Sequence, residues 1–198
     1  MAYTIITISR EYGSGGRYIG EQLAEKLGVR FYDKEFIAKV AEKTGFAEDY
    51  IRKAGEYSPF KSVFSYGLVS RDAGGNSLED YVYSVQRKII LEIAEQEPCV
   101  IVGRCADYIL ADRADCLNVF IHGAQADKIK RIMQYRGVSE KEAKRLMRDT
   151  DKRRRVHYNY YTDRPWGTAQ NYDICLDSTA LGTDACAELL YQFVVHNR

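Results

Sequence analysis

Paired cysteines are missing from this sequence of 198 residues: Cys99, Cys105, Cys116, Cys175 and Cys186 are odd in number and never spaced as C-x-x-C. A disulfide framework and a structural zinc site both need paired ligands, so reduced, buried thiols that pack as small apolar residues are expected. An excess of charge is missing too, with 29 basic residues against 28 acidic. No net basic field therefore points to nucleic acid or to a membrane surface. No apolar run approaches the length that spans a bilayer. The opening residues MAYTIITI lack a basic region ahead of a long apolar stretch. The expectation is a cytoplasmic protein with neither a nucleic-acid nor a membrane partner. His122 and His157 stand without metal-ligand neighbours at useful spacing, which makes both structural.

What is present is an alternation of strand and helix patterns. Residues 4–9 (TIITIS) are β-branched and apolar in succession, which suits a strand buried on both faces. From 17 to 27 Ile19, Leu23, Ala24 and Leu27 recur at helical spacing, and Gly28 stops the helix. A short apolar step at 29–32 precedes helical periods over 34–44 and 47–54. Residues 55–77 change in composition to Ser, Gly and Pro with isolated aromatics, and read as a loop-rich excursion near the acceptor side of a cleft. A helix over 78–96 carries Val82, Val85, Ile89 and Ile93 on one face. Strands follow at 99–102 (CVIV) and 117–121 (LNVFI), then a helix between 124 and 136. Ser139 to Glu142 reads as a capping box opening a helix with Ala143 and Leu146 on its apolar side. A last strand at 172–176 and an amphipathic helix over 183–195 close the chain. This order predicts an α/β fold of three layers, with a mostly parallel five-stranded sheet, helices on both faces and a helical lid at about 139–168. The length and the 45% hydrophobic content suit one domain over 1–198.

Between the first strand and the first helix lies Arg10-Glu11-Tyr12-Gly13-Ser14-Gly15-Gly16-Arg17. Glycines there let successive N–H groups curl around an anion, and the helix that follows adds unpaired amides and its dipole. Gly13, Ser14, Gly15, Gly16 and Arg17 are thus candidates for binding a nucleotide phosphate. The turn departs from the P-loop pattern G-x-x-x-x-G-K-[ST]. With Gly15 at the second glycine, Arg10 stands at the first glycine, Gly16 at the lysine and Arg17 at the Ser/Thr.

This loop resembles that of the cytidylate-kinase-like family, divergent relatives of the bacterial cytidylate kinases. Three further segments are similar in order and spacing. Phe31-Tyr32-Asp33-Lys34 resembles the acceptor-nucleotide segment, and Val102-Gly103-Arg104-Cys105 the Gly-Arg-Asp step after the third strand. Asp151-Lys152-Arg153-Arg154-Arg155, followed by 158–166 and Tyr172-Asp173, resembles the arginine-bearing lid and last strand. The resemblance implies a P-loop kinase fold and transfer of the ATP γ-phosphoryl group to CMP, dCMP or a related small acceptor, with Mg²⁺. A non-catalytic nucleotide-binding module is the competing reading, because the lysine and the Ser/Thr are absent.

Several residues carry two readings. Arg17 either supplies the missing lysine's charge to phosphate or is a plain first-turn arginine. Arg10 either reaches phosphate or pairs with Glu11. Asp33 and Lys34 lie at a strand's carboxyl end, where open α/β sheets place ligands, while Asp33 is also a good helix N-cap. Arg104, just past another strand end, is assigned to the acceptor. Cys105 replaces the usual aspartate, and Asp107 either compensates or caps the next short helix. Four adjacent basic residues point in different directions around a helix, so Arg153 or Arg154 is the candidate lid arginine, held by Asp151. Tyr158, Tyr160, Tyr161 and Trp166 either anchor the lid or stack on a base.

Overall fold

The computed structural model describes residues 3–48 and 77–197, with only the backbone of Lys34 and Glu35. Most of the expected helix over 47–54, and all but the last residue of the loop-rich stretch over 55–77, lie outside the described residues.

The strands are β1 (Ile5–Arg10), β2 (Arg30–Tyr32), β3 (Cys99–Val102), β4 (Cys116–His122) and β5 (Ile174–Asp177). They form one sheet of five in the order β2-β3-β1-β4-β5, and every pairing is parallel. Ile6 lies beside Val100 on one side and Leu117 on the other. The described helices are α1 (Gly16–Leu27), α2 (Lys34–Thr44), α3 (Leu78–Gln96), α4 (Ala106–Ile109), α5 (Gln125–Arg136), α6 (Glu140–Thr162), α7 (Ser178–Leu181) and α8 (Thr183–His196).

Period-two alternation on the central strand sets the layers. Ile6 and Ile8 face α1 and α8, packing with Ile19, Leu23, Cys186 and Leu190. Ile5 joins Cys99 and Ile101 on the opposite face, against Val40 of α2, Ile89 and Ile93 of α3 and Ala106 of α4. Each such large aliphatic side chain taken fully from water contributes about 1.5–3 kcal/mol, and both faces of the central strand are buried, Thr7 and Ser9 with their hydroxyls bonded to Asn118 and Asp107. A third, smaller cluster joins Ile129 and Ile132 of α5 to Ala143 and Met147 of α6.

The structure redraws some boundaries. β4 extends to Cys116 and His122, while β5 starts at Ile174 because Asp173 is already engaged. Its backbone N–H donates to the Asn118 carbonyl at 2.8 Å, and its carboxylate accepts from the Asn118 amide at 2.7 Å. At α6 the capping box is only half made. Ser139 Oγ accepts from the Glu142 amide, but the Glu142 carboxylate turns to Arg145, at 2.6 and 2.9 Å. A reciprocal box forms instead at α3, between Ser77 and Asp80. Neither glycine nor proline interrupts 140–162, so the apolar start of α6 and its basic run are one helix of 23 residues. Cys175 corrects the expectation of buried thiols: it is exposed, while the other four cysteines are buried.

β1 is flanked by β3 and β4, and the chain leaves β1 toward β2 but leaves β3 toward β4. That reversal opens a crevice beyond the carboxyl ends of β1 and β3, the place where open α/β sheets hold ligands.

Candidate active site

The glycine-rich loop rises from the end of β1 into that crevice. Its shape is held from within and from α5. The Glu11 amide donates to Ile121 O at 3.0 Å, prolonging the contact with β4. Ser14 is fully buried, and its hydroxyl donates to the Glu11 carbonyl at 2.8 Å, so its side chain braces the loop. Arg131 of α5 donates to the Gly13 carbonyl at 3.3 Å and to the Ser178 carbonyl at 3.0 Å, tying the loop to α7. Gly15 has φ +82°, a left-handed conformation, and a Cβ there would meet Thr183 Cγ2 at 2.6 Å. Only glycine fits on both counts. Gly15 is the N-cap of α1, whose first turn holds no acidic side chain. The amides of Gly16 and Arg17 therefore project past the helix end with its positive dipole, as an anion site requires.

Arg17 and Asp33 meet directly: Arg17 Nε donates to Asp33 Oδ2 at 2.6 Å. Asp33 occupies the N-cap position of α2, yet its side chain makes no capping bond. Lys34 opens α2, and its side chain lies outside the described residues.

After β3 the backbone does something costly. Gly103, Arg104 and Cys105 have φ of +76°, +62° and +55°, three successive left-handed residues of which two are not glycine. Such conformations cost on the order of 1–3 kcal/mol for each non-glycine residue and cluster at ligand sites. The turn sets Arg104 into a cleft also lined by Ser9, Arg10, Arg154, His157 and Trp166. Cys105 faces inward, and burial, helped by Asp107, holds its thiol well above the usual range. It is a protonated packing group. Asp107 is buried as well, accepting from Tyr158 OH at 2.6 Å and Ser9 Oγ at 3.4 Å. Burial raises its pKa, against the lowering effect of the Tyr158 and Ser9 hydroxyls. Asp107 thus ties the end of β1 to α6.

The adjacent arginines of α6 separate. Arg154 lines the cleft, mostly buried, and donates from an Nη to the Arg10 carbonyl at 3.0 Å, with Asp151 at 3.9 Å. Arg153 donates to Thr150 Oγ1 of its own helix at 3.1 Å. The aromatic patch divides likewise. Tyr161 stacks on Tyr83 of α3 with ring centroids 3.8 Å apart, and Tyr158 is buried on Asp107, so these two anchor α6. Trp166 lies edge-on to Phe120 and lines the cleft, while Tyr160 is exposed. His122 and His157 sit among aromatic rings, His157 against Tyr83 and Tyr161 and His122 against Phe120.

One feature escaped the sequence. Lys128 of α5 is buried, with Nζ 2.8 Å from Glu11 and 3.9 Å from Asp151. Glu11 also accepts from the Gly123 amide at 3.2 Å, and Asp151 from the Tyr12 amide at 2.7 Å. Glu11 is therefore held by Lys128, and Arg10 turns to the cleft. Burial raises the Asp151 pKa, opposed by the Tyr12 amide, Arg154 and Lys128. Lys128 stands four residues before the buried Ile132, on the same helix face, and that spacing was the available signal.

Among the described residues no group of three or more His, Cys, Asp and Glu could hold a metal ion, and no helix is long and apolar enough to cross a membrane.

The chain resembles several known proteins. A crystal structure of an uncharacterized protein from Eubacterium ventriosum is similar at 30% identity and a TM-score of 0.74, covering 96% of this chain and 98% of that one. A shikimate kinase from Acinetobacter baumannii, solved with shikimate, shares the fold at 15% identity and a TM-score of 0.56, covering 99% and 95%. A sugar kinase from Janibacter sp. does so at 11% identity and a TM-score of 0.56, covering 98% and 95%. No curated protein matches the sequence. The fold is thus that of the P-loop kinases, and the model of the cytidylate kinase-like family matches residues 5–180. The chain belongs to the cytidylate kinase-like family.

Proposed function

We propose that this protein is a cytoplasmic kinase that moves the γ-phosphoryl group of ATP to a small acceptor, a nucleoside monophosphate such as CMP or dCMP first among them. The observation that carries the reading is the left-handed turn Gly103-Arg104-Cys105, which places Arg104 in one cleft with Arg10 and Arg154 beside the glycine-rich loop. Strain of this kind persists where a ligand site requires it.

Phosphoryl transfer asks a protein chiefly to position two anions and to neutralise charge on the oxygens in flight. The amides of Gly13 to Gly16 and the end of α1 cradle the nucleotide phosphates. Arg154 meets the transferring group, and Arg153, one position before it, acts from the rim of α6. An acceptor oxygen attacks the γ-phosphorus, its bond to the β,γ-bridging oxygen breaks, and ADP leaves. Arg104 and Asp33 line the acceptor side, with Arg17 holding Asp33 in place, and Lys34 is assigned to the same side from its place in the sequence. Mg²⁺ bound with the nucleotide would neutralise charge on its phosphates; the carboxylates at the loop, Glu11 and Asp151, are already engaged by Lys128. The chain works as one unit, with α6 as the lid over the crevice.

The acceptor is open to a second class. Cys105 puts a protonated thiol where the family pattern has a carboxylate, and fold relatives bear the names of shikimate and sugar kinases. A hydroxyl-bearing metabolite is the alternative acceptor. Acceptor-dependent ADP release, measured over a panel of nucleoside monophosphates and hydroxylated metabolites, decides between them. Turnover with CMP or dCMP supports the leading reading, and turnover with a metabolite alone replaces the acceptor. ATP binding with no turnover on any acceptor reduces the protein to a nucleotide-binding regulatory module.

A further inference from the structure

The loop lacks lysine at the position the P-loop pattern assigns to it, where Gly16 stands, and it carries Arg10 where that pattern has its first glycine. These two departures touch. A Cβ on Gly16 would lie 2.6 Å from Arg10 Cβ and 3.1 Å from its Cγ. Real Cβ atoms essentially never approach that closely, so the stem of Arg10 fills the space from which a side chain at position 16 would start. The guanidinium end runs the other way, over Gly103, where a Cβ would collide with it, and into the cleft with Arg104 and Arg154. Gly103 and Gly16 are thus both small where Arg10 passes.

We propose that the loop has exchanged its glycine and its cation: Arg10 carries to the β- and γ-phosphates the positive charge that a lysine at position 16 would otherwise supply. This rests on the kinase reading above and names the loop residue that neutralises the transferred group. A guanidinium suits the task, since its forked donors match phosphate oxygens and it stays charged at any working pH. The Arg10 carbonyl accepts from Arg154 at 3.0 Å, so the lid helix is tied to the backbone that aims this side chain. Arg17, the other candidate for the lysine's charge, is 2.6 Å from Asp33 instead.

Four variants test the exchange. Arg10→Met keeps the stem against Gly16 and removes the charge; turnover should fall roughly 10²–10³-fold, as for loss of one preorganised donor, at a near-native melting temperature. It should weaken ATP binding and leave adenosine binding unchanged, a split that a merely structural role would not produce. Arg10→Lys should recover part of the loss. Gly16→Lys should lower the melting temperature and abolish turnover, because its Cβ meets Arg10. The double variant Arg10→Gly, Gly16→Lys should melt near wild type and turn over at least tenfold faster than Arg10→Met. Turnover of Arg10→Met within threefold of wild type overturns the exchange, as does a folded double variant no faster than Arg10→Met. A wild type that binds ATP without turnover overturns the kinase reading alone. ATP affinity then decides the exchange: it is upheld if Arg10→Met weakens ATP binding and the double variant restores it, and overturned otherwise.

Discussion

Glu11 and Lys128 are 2.8 Å apart on one flank of the glycine-rich loop, with Asp151 a further 3.9 Å from the lysine, whereas on the other flank Arg10, Arg104 and Arg154 line one cleft. On the first flank two carboxylates are met by a buried ammonium, by the amides of Tyr12 and Gly123 and, 3.9 Å from Asp151, by Arg154 reaching across from the other. The second gathers three cations about the strained turn after β3. Guanidinium groups lining one cleft suit an anionic ligand, while the carboxylates of the first flank are met from within the protein. The difference separates a scaffold that holds the loop's shape from the surface on which phosphate would act.

Changes on the balanced flank should therefore strike stability, and changes on the cationic flank should strike turnover. The largest effect is expected for Lys128→Met, which leaves Glu11 and Asp151 facing each other near the loop. Breaking a buried pair by removing one partner costs about 3–5 kcal/mol, to be read as a shifted urea midpoint. A loss below about 1 kcal/mol would show that the pair is peripheral. Next, Arg154→Ala should lower kcat roughly 10²–10³-fold, with a smaller shift in urea midpoint than Lys128→Met, from its bonds to the Arg10 carbonyl and Asp151. An equal loss of stability and turnover would erase the distinction between the flanks.

Tyr158→Phe joins the two effects, since its hydroxyl is one of the donors on buried Asp107. Leaving that carboxylate short of a donor should cost roughly 1–3 kcal/mol at neutral pH. For a domain of this size each kcal/mol moves the melting temperature by about 2–4 °C. The pH dependence has a definite sign. Burial raises the folded pKa of Asp107 and the Tyr158 hydroxyl lowers it. The folded state therefore holds a proton above the unfolded carboxylate value of about 3.9, and stability falls as pH rises through that window. Removing the hydroxyl widens the window upward, so the melting deficit of Tyr158→Phe should be larger at pH 8 than at pH 5. A deficit independent of pH would contradict the assignment. The smallest effect is expected for Arg17→Ala. Its pair with Asp33 is partly exposed, worth about 0–1 kcal/mol, and the turnover loss should stay well below that of Arg154→Ala.

The layers were legible in the sequence because the central strand's β-branched run and the helical periods of α1, α3 and α8 carry strong, regular signals. So was the loop, since three glycines between a strand and a helix have a local cause. Boundaries drifted where side chains overrode pattern, as when Asp173 bonded to Asn118 and delayed β5. Arg153 and Arg154 could not be told apart from their positions alone. One turns to the cleft and one to Thr150, and that choice depends on how α6 packs across α3 and α5. The role of Lys128 and the passage of Arg10 over Gly103 are likewise tertiary facts, joining residues far apart in the chain.

Whether ATP phosphate sits on the backbone at the start of α1 can be read from amide proton–nitrogen correlation spectra recorded with and without Mg²⁺ and ATP. Saturating nucleotide should shift the Gly13, Gly15, Gly16 and Arg17 amides more than those elsewhere, and adenosine should shift them little. Saturation by ATP that leaves these amides unmoved, or no binding at all, would contradict that placement.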